Sequence, residues 1–362
     1  MVARNRSITI EFRRSLALSL TIDLSLLSLA EEYEGFNQWI YSTYAALSHD
    51  LQSSIRTLFH PFANKLLFDE LVRAHDLPKM EDLSAFIRWI SELSDQTIRA
   101  SNLTMLRKLA EAAGSAIPDS SIFENGEQMS RTLHALLASK LRKSEIGRLV
   151  RYLMDAEEMK SELVLLSTRF WDRHYRTEYT RCRPLEEQSL DLLRSGRISG
   201  TARDILVSIT GKPVPEHVDG QIDAARRLVV IPTCHGGPYA SVSPIEGTNG
   251  DLAIVYNCLP SKTHSEDARL PTRELFAPLK ALADETRLDI ISLLVGRELY
   301  AQQIVDRMDI SQSAVSRHLR FMVACGVLQE RKQEGMKFYA INGEKISEVI
   351  AHLDVLRHTV DD

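Results

Sequence analysis

Cysteine is scarce, with four in 362 residues, at positions 182, 234, 258 and 325. Thiols so few and so irregularly spaced exclude a disulfide framework, and a reducing cytoplasm is the expected compartment. Long apolar runs are also missing. No stretch reaches the ~18 uninterrupted apolar residues of a membrane-spanning helix, so no membrane partner is expected. Arginines at 3, 5, 13 and 14 precede SLALSLTIDLSLLSLA, which superficially resembles a secretory signal. Asp23 interrupts that run and the arginines surround a strand-like SITIEF, which speaks against secretion. Positive charge is not in excess, since 44 Lys and Arg stand against 49 Asp and Glu, for a net −5. That excludes a chain gripping nucleic acid over its whole surface, but not one with a single basic face. The chain lacks a P-loop, a dinucleotide fingerprint and HExxH. It also has no repeat of about 20–50 residues, which excludes a solenoid.

What is present is ordinary for a globular chain: 44% hydrophobic and 26% charged residues, and length enough for two or three domains. SITIEF, 7–12, alternates like a short strand. Leu16 to Leu29 has strand-like Leu/Ser alternation but the length of a buried helix, and a helix starting near Ser15 is expected. From about 48 to 210 the pattern is helical, with apolar residues three and four apart over Leu83–Leu93, Leu103–Ala113, Met129–Leu141 and Glu145–Thr168. Pro118, Pro184 and the Gly196/Gly200 pair are the expected breaks. Then come three strand-like pieces, Arg227–Pro232, Tyr239–Pro244 and Leu252–Asn257. The expected class is mainly α with small β. A helical N-terminal domain, 1–212, would carry a small antiparallel sheet, 213–260. A linker, 261–271, would lead to a reader domain, 272–342, and a last helix, 343–362.

The segment 272–342 is the most regular. Helices are expected over Leu275–Ala283, Arg287–Val295, Tyr300–Met308 and Ser311–Cys325, with Gly296 and Gly326 as stops. On the fourth, Val315, Leu319 and Met322 share one face and should pack inward. Ser313, Ser316, Arg317 and Arg320 share the other. Arginine forks onto guanine, hydroxyls reach bases or phosphates, and Gln312 near the helix start can reach adenine. VLQERKQEGMKFYAIN, 327–342, reads as a hairpin with Arg331, Lys332 and Lys337 near its tip, placed for phosphate contact. Between Ile310 and Lys337 five Lys and Arg stand against two Glu, although the whole chain is acidic.

LKALADETRLDIISLL, QQIVDRMDISQSAVSRHLRFMVACGVL and ERKQEGMKFYAI together resemble the winged helix-turn-helix of the ArsR/SmtB regulators. The resemblance implies a dimeric, sequence-specific DNA-binding regulator, usually a repressor. It implies that Gln312, Ser313, Ser316, Arg317, His318 and Arg320 face the major groove or the adjoining backbone, although His318, on the border of the two helix faces, reads equally as a packing or hydrogen-bonding residue. Val305 and Asp309 depart from the usual alanine and glycine without breaking the pattern. One family metal site is a thiol pair after Glu-Leu; here Glu298-Leu299 is followed by Tyr300 and Gln302, and soft ions lose their ligands. His352, Asp354 and His358 on the last helix do not match the other family spacing, so no metal or cofactor is expected. Ile346, Val349, Ile350, Leu353 and Leu356 form an apolar stripe on that helix; the domain body or a second subunit would cover it, and the resemblance favours a homodimer seam.

The first 270 residues are read as a region that senses a signal, such as an unidentified small-molecule effector, or sets assembly. Phe36, Trp39, Tyr41, Tyr44, Trp89, Phe170, Trp171 and Tyr175 are read as core rather than pocket. No enzymatic activity is expected. The alternative is an enzyme or metal-binding domain centred on Thr233-Cys234-His235-Gly236-Gly237, with Cys258 and His264 as further ligands. Adjacent residues on a strand point to opposite faces, which works against Cys234 and His235 acting as a pair.

Overall fold

The computed structural model describes residues 8–60, 65–73, 80, 82–196, 198–245, 247–248, 250–258, 272–333 and 335–358. The expected linker 261–271, with His264, lies outside the described residues. The chain forms two compact units. The first comprises 1–30, 37–236 and 240–259, and the second comprises 31–36, 237–239 and 260–362.

The first unit is mainly helical. In order it contains β1 (Thr9–Phe12), α1 (Leu16–Ser28), α2 (Gln38–Ala46), α3 (His49–Phe59), α4 (Lys65–Arg73), α5 (Leu83–Glu92) and α6 (Asp95–Ala112). There follow α7 (Gly126–Leu137), α8 (Lys143–Met154), α9 (Ala156–Phe170), α10 (Arg176–Ser195), α11 (Ala202–Thr210) and α12 (Glu216–Ile222). β2 (Arg227–Thr233), β3 (Ser241–Pro244) and β4 (Leu252–Asn257) complete it.

The ambiguous Leu/Ser run is a helix, as expected. Ser15 caps α1 by accepting from the Leu18 amide at 3.2 Å. Its serines do not solvate a strand face. Ser25 and Ser28 return their hydroxyls to the helix's own carbonyls, at Thr21 and Ser25. Most of α1 is buried, which an all-round apolar helix requires. The run Glu145–Thr168 is two helices, because Asp155 breaks it. The Asp155 carboxylate accepts from the amides of Glu157 and Glu158, both at 3.0 Å, and so starts α9. Pro184, an expected break, lies inside α10. Its missing N–H costs that helix one hydrogen bond and does not end it.

The sheet differs from expectation. Its order is β1-β2-β4-β3, with β1, β2 and β4 parallel and only β3 antiparallel. Nor is it a separate 213–260 piece, because the edge strand β1 comes from the N-terminus. β2 is buried along nearly its whole length, as a central parallel strand must be. The aromatics Phe170 and Tyr175 are fully buried.

The second unit contains α13 (Thr272–Leu282), α14 (Glu285–Leu294), β5 (Leu299–Tyr300), α15 (Ala301–Val305), α16 (Gln312–Ala324), β6 (Leu328–Gln333), β7 (Met336–Ile341) and α17 (Gly343–His358). β5 was not anticipated; it pairs with β7 and takes Tyr300, while turn bonds from Arg307 to Ile304 and from Met308 to Val305 close the third helix, which spans 301–305. The sheet is antiparallel, ordered β5-β7-β6, with Gly335 at φ +80° turning the hairpin. Val315, Leu319, Phe321 and Met322 of α16 sit in one core with Ile290, Leu294, Ile304 and Val327. Among the described residues no helix is long and apolar enough to cross a membrane.

Candidate nucleic-acid interface

α16 begins at Ser311, whose hydroxyl accepts from the Ala314 amide at 3.3 Å. The helical period then divides its residues. Val315 and Leu319 are fully buried, while Gln312 and Ser313 are exposed and Ser316, Arg317 and Arg320 are half-buried. His318, expected among the DNA-facing residues, is 8% exposed and turned towards the core. Burial lowers its pKa, and its Nδ1 lies 3.6 Å from Glu34, beyond a hydrogen bond. The border position thus joins Val315, Leu319, Phe321 and Met322 as the buried residues of α16.

The two arginines of the reading face are held by this unit's own segment 31–36. Arg317 Nε donates to Glu34 Oε1 at 2.8 Å, and Arg287 Nη1 donates to Glu34 Oε2 at 2.7 Å. Arg320 Nη1 donates to the Glu32 carbonyl at 2.5 Å, and its guanidinium lies 4.2 Å from the centre of the Tyr33 ring. Tyr239 donates its hydroxyl to the Glu34 carbonyl at 2.6 Å and packs edge-on against Tyr33 and Phe36. The approach is close enough to need glycine. Gly35 has φ +89°, and a Cβ there would collide with the Phe321 ring. Glu34 and Arg287 had no sequence signal at this site, since Glu34 is 283 residues from Arg317.

At the wing, Lys332 is exposed, Arg331 donates to Glu298 at 2.6 Å and Lys337 pairs with Glu330 at 2.6 Å. These pairs are solvent-exposed and give little stability, so phosphate can compete for the cations.

A family model described as "Bacterial regulatory protein, arsR family" matches residues 284–330. The transcriptional activator HlyU of Vibrio cholerae is 35% identical over 72 residues, 20% of this chain and 67% of that protein. The arsenical resistance operon repressor of Staphylococcus aureus is 30% identical over 84 residues, 23% of this chain and 81% of that protein. The chain belongs to the ArsR family. A solved structure of HlyU from Vibrio cholerae aligns over 28% of this chain and all of that one, at 28% identity and a TM-score of 0.21. The family model lies within the second unit, and these relatives each match between 20% and 28% of the chain.

In the ArsR-type reader, the apolar stripe of α17 divides. Val349 is buried and Ile346 packs on the unit's own core, so neither is presented to a partner. Ile350 and Leu353 are exposed, as is Phe276 on α13, the helix that packs against α17. The side chain of Leu356 lies outside the described residues, as do those of Asp354 and His358. His352 is engaged by the Glu348 carbonyl at 2.7 Å.

The other sequence candidate, Cys234-His235, lies in the first unit just beyond the carboxyl end of β2. As the alternation of side chains anticipates, the two residues take different partners. Cys234 Sγ lies 3.5 Å from Cys258 Sγ, at the carboxyl end of β4. His235 is buried between two carboxylates, with Nδ1 2.8 Å from Asp23 and Nε2 2.7 Å from Glu178. Its thiol neighbour is Cys182, Sγ 3.5 Å from Nε2, and not Cys234. Burial opposes charge on His235, but Asp23 and the surrounding hydrogen bonds outweigh it and raise its pKa to about 12. Burial likewise pushes Glu178 up, yet hydrogen bonds from Arg181 and His235 hold it at about 2. Glu178 and Cys182, four apart on α10, were the legible part of this cluster, because that spacing puts both on one helix face. Asp23 was not.

Proposed function

We propose that this ArsR-family chain is a homodimeric DNA-binding repressor reading an inverted repeat, and that residues 31–36 set how much of its reading helix is available. The observation that carries this reading is the double use of Arg317 and Arg320. They occupy the face of α16 suited to bases and phosphates, and Glu34, the Glu32 carbonyl and Tyr33 hold the same guanidiniums. A carboxylate and a carbonyl are the donors' alternative to phosphate oxygen and guanine O6. Residues 30 and 37, which flank the segment, belong to the first unit. A signal received there can therefore reach α16 along the chain. The first unit acts in this reading as a sensor, not as an enzyme.

The exposed Ile350, Leu353 and Phe276 supply the dimer seam. A two-fold pair sets its reading helices about 34–36 Å apart, one turn of DNA. Replacing Ile350 and Leu353 by Asp should give a monomer by analytical ultracentrifugation and weaken operator binding.

The test is fluorescence anisotropy of a duplex from the region upstream of the protein's own gene, titrated with salt. Wild type should bind with a steep salt slope. Arg317→Ala/Arg320→Ala should lose specific binding, and Glu34→Gln should bind more tightly than wild type. Unchanged binding in the double arginine variant would overturn the assignment of the reading helix. Unchanged or weaker binding in Glu34→Gln would overturn the role of the segment 31–36 alone.

A further inference from the structure

We propose that Glu178, Cys182 and His235 form a binding site for one divalent transition-metal ion of the zinc class, inside the first unit and separate from the DNA-reading surface. The three offer a carboxylate oxygen, a thiol sulfur and an imidazole nitrogen, all buried and mutually within 4.8 Å. A mixed oxygen, sulfur and nitrogen set suits a borderline-soft ion with tetrahedral preference.

The spacing fits such an ion. Zinc bonds of about 2.0–2.1 Å to nitrogen and oxygen and about 2.3 Å to sulfur, at tetrahedral angles, place N and O about 3.3 Å apart and sulfur about 3.5–3.6 Å from each. Cys182 Sγ lies 3.5 Å from His235 Nε2 and 3.6 Å from Glu178 Oε1. Only the Nε2–Oε1 edge, at 2.7 Å, must open, by about 0.6 Å, as when a cation replaces the proton of a hydrogen bond.

The surroundings orient the ligands. Asp23 Oδ1 engages His235 Nδ1, and Tyr175 donates its hydroxyl to Asp23 Oδ2 at 2.6 Å. A carboxylate on Nδ1 leaves Nε2 as the ligand nitrogen, the arrangement that metal-bound histidines use. The Trp39 ring stacks on His235, centroids 4.6 Å apart, and fixes its plane. His235 also follows the carboxyl end of a parallel strand, the edge where open α/β sheets bind ligands. Arg181, half exposed, donates to both Glu178 oxygens and to Cys182 Sγ at 3.4 Å, so the ion takes Oε1 and the sulfur as this guanidinium turns towards solvent and keeps Oε2.

The charges balance. A dication binding here releases the Cys182 thiol proton and the Nε2 proton of His235. Thiol, carboxylate and imidazolium sum to zero; so do dication, thiolate, carboxylate and neutral imidazole. The buried neighbours therefore meet no new net charge, which would be costly at this depth.

The test uses the full chain, stripped by dialysis against a chelator and titrated with Co(II), then with Zn(II). The expected result is one Co(II) per chain, with thiolate-to-cobalt charge-transfer absorption and the strong visible bands of a tetrahedral site, both bleached by Zn(II). Cys182→Ser should lose the charge-transfer absorption with an unchanged far-ultraviolet circular dichroism spectrum. Cys258→Ser should keep it. If Cys182→Ser does not fold, Glu178→Gln takes its place and should shift the visible bands. A stripped wild-type chain that is folded and takes up no cobalt overturns the proposal. So does charge-transfer absorption that survives Cys182→Ser, or visible bands that survive Glu178→Gln. None of these readouts involves DNA, so they stand apart from the regulatory reading.

Discussion

Each unit builds a charge cluster, one around His235 and the other around Glu34, and the two differ in what water can do to them. In the first unit, Asp23, Glu178 and His235 have side chains 4%, 9% and 1% exposed. In the second, Glu34 is 26% and Arg317 38% exposed. Water or phosphate can replace Glu34 at Arg317, while the buried Arg287 keeps the Ala281 and Lys280 carbonyls when Glu34 leaves, so the second cluster can open and close at little cost. Nothing can replace the partners of the first without leaving a buried charge unpaired. One arrangement suits a reversible contact, and the other suits a fixed set of ligands.

The comparison breaks most directly at Asp23. Asp23→Ala leaves the His235 Nδ1 proton and the Tyr175 hydroxyl without their acceptor. The expected cost is about 3–5 kcal/mol, read from urea unfolding. A loss below about 1 kcal/mol would mean that the first cluster is as replaceable as the second. Next in size is the effect of Arg317→Ala/Arg320→Ala on DNA, where each arginine contact is worth about 1–3 kcal/mol of base discrimination. Glu34→Gln sharpens the contrast: stability should change by no more than about 1 kcal/mol while DNA affinity rises. Gly35→Ala should raise affinity as well, without altering charge, because the added methyl forces segment 31–36 away from Phe321. Equal affinity in Gly35→Ala and wild type would show that the segment yields elsewhere.

A separate, pH-dependent effect concerns Glu186, which sits beside Ser19. Burial, then the Asp23 charge, raises its pKa from 4.5 to about 8. A raised carboxyl contributes stability that is fully present below pH 4.5 and is lost as pH rises towards 8. Glu186→Gln should therefore lose less stability than wild type between pH 5 and pH 8, measured as the difference in thermal midpoints. Parallel declines would show that Glu186 does not carry the proton.

Local rules made the reader legible. The helix start at Ser311, the two faces of α16, and the hairpin at Gly335 depend on residues within a turn or two, as does the start of α1 near Ser15 in the first unit. Periodicity and capping express that range. The same rules left Asp155 readable as a cap between α8 and α9, although the apolar period ran through it. They misjudged Pro184, since packing can hold a helix through a proline. They gave the sheet the wrong sense, because pairing β1 with β2 joins residues more than 200 positions apart. His318 sat at the edge of two helical faces, where only the neighbouring helices decide.

The amino-acid order alone thus determined the mainly helical class, the winged reader and which arginines line its outer face. Those features are fixed by short-range sterics and by the helical period. Tertiary structure alone decided that Glu34 holds Arg317 across 283 positions, and that His235 meets Asp23, Glu178 and Cys182. Such meetings depend on how distant elements pack, and no spacing along the chain encodes the distance between them.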